Sequence, residues 1–501
     1  MRHSALWVTA LGAGESFCRM NRAGLCIASL VFAIAGPVQA GAVSDAAARN
    51  RDVSVLFAAG DVRGAYALGE KVLAENQAAL GPSHPEVARS LYQLGVMNQR
   101  RGHYEEAEPQ HLQALQIREA TLRADDLAIA DSVMKLGAMY RNRGWYAQAE
   151  PFLKRGLTIR EAALGPNHPG VAHSLMELAR MYRTQDRFDE AEPLARRALD
   201  ILQQSFGADD PRIAEVLNEL ALIFHNQHRY EEALPYYTRA LVIRERALHA
   251  DDILIARSLS NLAVLHHNKG DFEQAELYHR RALEAKRTAL GARHPDVAVT
   301  LRNMGLMFAD KGDLENAEKY FDEAIAMLEA TTGPDTGAVA GTLANLAELY
   351  IQQKRLDEAE ALLTRAISIW EQVLDPRHPA VARALSELAL LYLEQERLAE
   401  AETLQRLSTE ILEHAMGPQH PDLATALGNL ALIYYTQGKL VQAESLYRRA
   451  LAIRERSLGA DHLLVADSLD ALAETLLSNV QEDEARVLRK RADEIRTRPN
   501  P

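Results

Sequence analysis

A 42-residue period that never slips constrains this chain more than any other feature. The segment Leu80-Gly81-Pro82-Ser83-His84-Pro85 returns as Leu164-Gly165-Pro166-Asn167-His168-Pro169, as Leu290-Gly291-Ala292-Arg293-His294-Pro295 and as Met416-Gly417-Pro418-Gln419-His420-Pro421. Its starts at 80, 164, 290 and 416 are 84, 126 and 126 apart, all multiples of 42. Weaker copies at Leu122, Phe206, Leu248, Thr332, Leu374 and Leu458 fill the gaps. An alanine recurs every 42 residues from Ala65 to Ala485, which implies eleven units. Self-similarity at such a period means stacked copies of one supersecondary unit.

Within a unit the helical period is plain. Ala256, Leu259, Leu262, Ala263 and His266 step by three and four, and Ala298, Leu301, Met304, Gly305 and Phe308 repeat the set. That spacing predicts a first helix of about 16 residues. Lys269-Gly270-Asp271 breaks it, with Gly at the helix end and Asp capping a second helix through Phe272, Ala275, Tyr278, His279, Ala282 and Leu283. His294-Pro295 opens the next unit, since Pro suits a first helical turn. The column from Ala88 to Ala466 is alanine in every full unit, and the column from Gly95 to Ala473 is always Gly or Ala. Small residues there let neighbouring helices approach closely, and stacked pairs bury apolar faces that one pair could not.

The N-terminus departs from this pattern. Asn21-Arg22, an apolar run from Gly24 to Ala35, Gly36-Pro37 and Val38-Gln39-Ala40 read as a signal peptide over residues 1–40. Met20 stands where an initiator is expected, so residues 1–19 read as an over-called start, and a later start would leave the protein in the cytosol. The run is too short to span a bilayer, so no stable membrane insertion of the mature chain is expected. Both cysteines, Cys18 and Cys26, precede the cleavage point, which leaves no disulfide or thiolate site in the mature chain. A net charge of -13 without a basic stripe argues against a nucleic-acid partner.

These residues resemble the tetratricopeptide repeat, in the 42-residue form found in kinesin light chains and many bacterial proteins. Val297-Ala298, Leu301 to Gly305, Gly312 to Glu318 and Ala324-Ile325 carry the likeness in one unit. Leu423-Ala424, Leu427 to Ala431 and Tyr447 to Glu455 carry it in another, and it spans roughly 45–496. The resemblance implies an all-α fold, a right-handed superhelical solenoid of about eleven antiparallel helix pairs. It also implies a concave groove that grips peptides or protein segments. Motor-cargo work does not carry over, because kinesin light chains place a heptad coiled coil before their repeats and here the repeats follow the leader almost directly.

The chain is accordingly expected to divide into an irregular repeat over 41–79, a block of repeats over 80–331, a second block with a charged capping helix over 332–496, and a tail, 497–501. Thr331-Thr332-Gly333-Pro334-Asp335-Thr336-Gly337 lacks the His-Pro pair, and Gly341 follows inside the next helix, so the softest joint is expected near 332. Asp493 stands where most units have Leu or Ile, as a solvent-facing end requires.

The columns through 89, 92, 93, 96, 99 and 100 vary in residue type on a fixed frame, and such positions are where binding specificity is written. Asn261, Asn303, Asn345 and Asn429 share one column, with Asn218, Asn226 and Asn268 close by. An amide donates and accepts, so a row of them can hold a peptide backbone or, equally, bond between helices. Related repeat proteins use asparagine here for the peptide. Arg141, Arg180 and Arg183, with Arg89 and Arg100, are expected to cluster in the N-terminal half and to suit acidic segments, unless paired with nearby Glu and Asp. His225, His228, His266 and His267 are too dispersed for one metal ion, and the His-Pro pairs read as loop punctuation. No phosphate loop, nucleophile elbow or carboxylate pair points to catalysis or to a cofactor. The reading is an exported, non-enzymatic scaffold for proteins or peptides; the alternative is a structural spacer or self-assembling element with an empty groove.

Overall fold

The computed structural model describes residues 37–249, 252–374 and 376–497. The leader read in 1–40 thus lies, up to residue 36, outside the described residues. Every regular element among those described is helical, in 22 helices from Pro37–Ala58 to Glu482–Thr497. None is long and apolar enough to cross a membrane.

The chain forms two compact units, one ending at Arg229 and one starting at Tyr230. In the first, four helix pairs run from Pro37–Ala58 and Val62–Leu80 to Pro169–Arg183 and Phe188–Phe206, followed by Ile213–Asn226. In the second, Tyr230–Ala247 precedes six pairs, from Ile253–Asn268 and Phe272–Leu290 to Leu463–Ser478 and Glu482–Thr497. Within each unit the helices of a pair pack on each other, and each second helix packs on the first helix of the next pair. The expected first helix of about 16 residues is Pro295–Asp310 in its unit.

Local chemistry sets the boundaries. Second helices close at glycines such as Gly81, Gly291 and Gly459, whose φ lies between 82° and 94°, a region closed to side chains with a Cβ. The histidines of the His-Pro pairs do more than punctuate. Nδ1 of His84, His168, His294, His378 and His420 accepts the backbone N–H two residues on, at 3.0 to 3.2 Å, so each imidazole is an N-cap. Asp126 and Asp252 do the same at 2.8 Å in units that lack the histidine.

The alanine columns are the core: Ala65 to Ala485 are all 0 % exposed, and Ala88 to Ala466 at most 1 %. Glycine replaces alanine where a large partner lies directly opposite. A Cβ on Gly305 would come within 2.7 Å of the Phe321 ring, and one on Gly137 within 2.6 Å of Leu153.

Two further contacts repeat along the stack. A basic residue near the end of a second helix reaches a hydroxyl 14 residues on. Arg118 bonds Ser132 at 2.7 Å, Arg244 bonds Ser258 at 2.6 Å, and Lys286 bonds Thr300 at 2.8 Å. Where leucine stands in place of the basic residue, Leu202 and Leu412 face Val216 and Ala426 in place of the hydroxyl, whereas Leu328 keeps Thr342. The second contact joins a glutamate of one pair to a tyrosine and an arginine of the next. Tyr350 donates to Glu318 at 2.8 Å, Arg355 donates to the same carboxylate at 2.9 Å, and its guanidinium lies 3.6 Å from the Tyr350 ring centre. Tyr392, Glu360 and Arg397 repeat this arrangement.

Candidate peptide-binding groove

Within each unit the first helices of consecutive pairs are joined by side chains about one repeat apart. Arg141 meets Glu177, Arg383 meets Asp422, His267 meets Asp310, and Asn429 meets Ser386. All of these but Asp422 belong to the variable columns, so those columns share a face above the buried alanines and leucines.

In the first unit Arg141, Arg180 and Arg183 do come together, but not as free cations. Glu177, with a side chain 9 % exposed, lies 3.3 Å from Arg141 and 2.9 Å from Arg180. Glu219, 4 % exposed, lies 3.5 Å from Arg180 and 2.6 Å from Arg183, and Glu215 also bonds Arg180. Burial works against the Arg180 charge, and Glu215, Glu177 and Glu219 outweigh it and raise its pKa. Three guanidinium groups thus meet three carboxylates of the same chain. Of the two readings of these arginines, the structure has the paired arrangement at these three positions, because Glu177 and Glu219 occupy the column that carries asparagine elsewhere. Arg89 is exposed, and Arg100 lies over the Phe57 ring at 4.4 Å.

The asparagines divide between the units. In the first, Asn218 is partly buried and Asn226 exposed; in the second, Asn261, Asn303, Asn345 and Asn429 are partly buried and Asn268 exposed. Asn218, Asn261 and Asn268 are engaged within the chain, and Asn429 donates to Ser386 at 3.1 Å. The amides of Asn303 and Asn345 make no hydrogen bond among the described residues. A half-buried amide without a partner leaves bonding capacity for a ligand.

The histidines are tied separately. His266 Nδ1 is 3.0 Å from Asp271 and its ring stacks on Tyr278, whereas His267 Nε2 is 2.7 Å from Asp310. Among the described residues no three His, Cys, Asp or Glu side chains are placed to hold a metal ion.

One residue the column reading passed over is Glu387, between Asn345 and Asn429 in the asparagine column. It is partly buried and has no ion pair among the described residues. Burial first and Glu348 second push its carboxyl up to about 7, against the pull of Arg383. It lines a hollow of about 260 Å³ with Arg383, Ser386, Leu390, Thr425 and Asn429. A glutamate in that column with no basic residue one unit earlier is the trace it leaves in the sequence.

Family models described as tetratricopeptide repeat match residues 46–120, 126–204, 212–288, 338–414, 387–456 and 422–497, and a further one matches 297–336. No curated protein matches the chain. Among solved structures, the apo quorum sensor NprR from B. thuringiensis is 17% identical with a TM-score of 0.50, covering 73% of this chain and 98% of that one. The nearly identical TPR-like repeats of a protein assigned as a kinesin light chain in Podosopora anserina are 23% identical with a TM-score of 0.37, covering 40% and 96%. A Rap protein complexed with competence and sporulation factor is 16% identical with a TM-score of 0.42, covering 72% and 99%.

Proposed function

For a chain that belongs to the tetratricopeptide-repeat family, we propose a non-enzymatic scaffold that holds an extended peptide or protein segment on the face made by its first helices. The observation that carries this reading is the pair of partly buried amides, Asn303 and Asn345, that make no hydrogen bond within the described residues. Two adjacent units present the same amide in the same column, so peptide groups about three residues apart in an extended chain could be held without regard to side chain. The match to the quorum sensor supports the fold alone. For an acidic segment, a ligand carboxylate at Arg141, Arg180 or Arg183 would have to displace Glu177 or Glu219, and Arg89 and Arg100 are the open positions.

The test is a displayed peptide library panned on the full chain. Enriched peptides are then titrated against the wild type and against Asn303→Ala/Asn345→Ala. The variant is expected to lose about tenfold in affinity with its melting temperature unchanged, since neither amide serves the fold. Equal affinity for both proteins would remove the groove reading. A library that yields no binder would favour the spacer.

We also propose export through the leader at residues 1–40, on its sequence pattern alone. Sequencing the N-terminus of the mature chain checks it: a start at Gly41 supports export, and an intact Met1 or Met20 removes it.

A further inference from the structure

We infer that the hollow at Glu387 receives a cationic side chain, arginine or lysine, of the segment held on this face; the inference rests on the groove reading and gives that groove a specificity. The chain itself supplies the template. In the first unit Glu219 occupies the same column as Glu387, and its charge is met by Arg180 and Arg183 from the preceding first helix, at 3.5 and 2.6 Å. Glu177, also in this column, is met by Arg141 of the preceding helix and by Arg180 three residues on in its own. At Glu387 every one of these cation positions has been lost. The residue equivalent to Arg180 on the preceding helix is Glu348, and the equivalent of Arg183 is Ile351. Three residues on stands Leu390. The nearby Arg383 is directed to Asp422, at 3.1 Å.

What remains is a carboxylate at a register where this fold elsewhere seats a guanidinium, with a second carboxylate in place of the cation. Neither Glu387 nor Glu348 has an ion pair or hydrogen bond among the described residues. Two like charges on facing helices repel, and burial of one of them adds to the cost. The upward push on the Glu387 carboxyl by burial and by Glu348 is the electrostatic expression of that missing cation. The hollow holds one long side chain and is too small for a drug-sized ligand. Its polar wall is already ordered: Asn429 donates to Ser386, and Ser386 donates to Gln405 at 2.9 Å. The hollow lies on the side of Glu387 toward Pro421–Thr436, with Asp422 also in its wall, so an arriving guanidinium would supply the missing cation from the side opposite to that used by Arg180 and Arg183 at Glu219.

The test uses the full chain and two probes, an acetylated and amidated alanine pentapeptide with a central arginine and the same peptide with citrulline, its neutral isostere. Both are titrated by saturation-transfer difference NMR. The arginine peptide is expected to bind about tenfold tighter. That preference should vanish in Glu387→Gln and fall in Glu348→Gln, with citrulline binding unchanged. The control Glu315→Gln/Glu323→Gln changes the net charge by two at exposed sites and should keep the preference. Circular dichroism confirms folding of each variant. Equal binding of the two peptides to the wild type overturns the cation site and leaves the groove reading standing. A preference that survives Glu387→Gln, or that the control abolishes, also overturns it. If neither peptide binds, the cation site falls, and the groove reading is decided separately by the Asn303/Asn345 comparison.

Discussion

His111 and His279 are wholly buried in the interior of their helix pairs, and among the described residues neither ring nitrogen of either has a hydrogen-bond partner. Burial first, then Lys135 and Arg118 at His111 and His267 and Lys286 at His279, lower each pKa from 6.5 to about 4. The sign follows from proton counting. Between about pH 6.5 and 4 the unfolded chain binds protons that the folded chain refuses. The stability these sites hold at neutral pH is therefore lost as pH falls through that window, by at most roughly 3 kcal/mol per site. His279→Leu should flatten this loss, because Leu363, with Ala347 as its equivalent of Ala263, already occupies the column. Melting at pH 7.5 and 4.5 checks it: the variant should lose less than the wild type, and an equal loss would refute the assignment. The Gly95–His111 contact shows why the histidine is tolerated at all. A Cβ at Gly95 would lie 2.7 Å from the imidazole, so the ring fills space that a larger neighbour would need.

Helices in this chain start and stop by different means in different units, and the column view shows which means are interchangeable. His168 and Asp126 hold one column and make the same bond to the backbone N–H two residues on. His168→Ala should expose the first turn of Pro169–Arg183 and cost about 1 kcal/mol, whereas His168→Asp should cost little. Amide exchange at Gly170 reads this locally, which suits a repeat array better than a global melt. Faster exchange in both variants, or in neither, would mean the cap is not what holds this turn. The basic-to-hydroxyl contacts show the same logic between helices. Arg118 and Ser132 form one unit of chemistry and Leu202 and Val216 another, each matched at a spacing of 14 residues.

On the scale of the whole molecule, one apolar core in the second unit runs from Ala275 to Ile453. It continues past the linker at 331–337, so softness expected there is a local property of helix ends and not a gap in the core. Thr336 makes no side-chain cap bond, unlike His294 or His378 in its column. Gly341 sits inside the helix with only Trp370 at 3.9 Å from a would-be Cβ. Exchange should therefore be fastest at the first turn of Gly337–Gln352, and Gly341→Ala should slow it about fivefold, the equivalent of about 1 kcal/mol. Exchange that is uniform over all the linkers would remove the joint near 332.

The repeat, the helix pairs, the buried alanine columns and the variable face above them were legible in residue order, because each depends on periodicity and on side-chain size, which recur every 42 positions. The Gly270-Asp271 break is an example: a left-handed φ of 77° at the glycine and an aspartate cap are local demands met by local residues. The state of the charges was not legible in the same way. Residue order leaves Arg141, Arg180 and Arg183 either open or paired, and in the structure Glu177, Glu215 and Glu219 pair with them. Glu387 looks like one more surface glutamate and, of the three glutamates in its column, is the one without an ion pair among the described residues. Period and composition specify which columns share a face. Whether a given carboxylate finds a guanidinium there depends on separations of a few ångströms between side chains on different helices, and only the packed fold sets those distances.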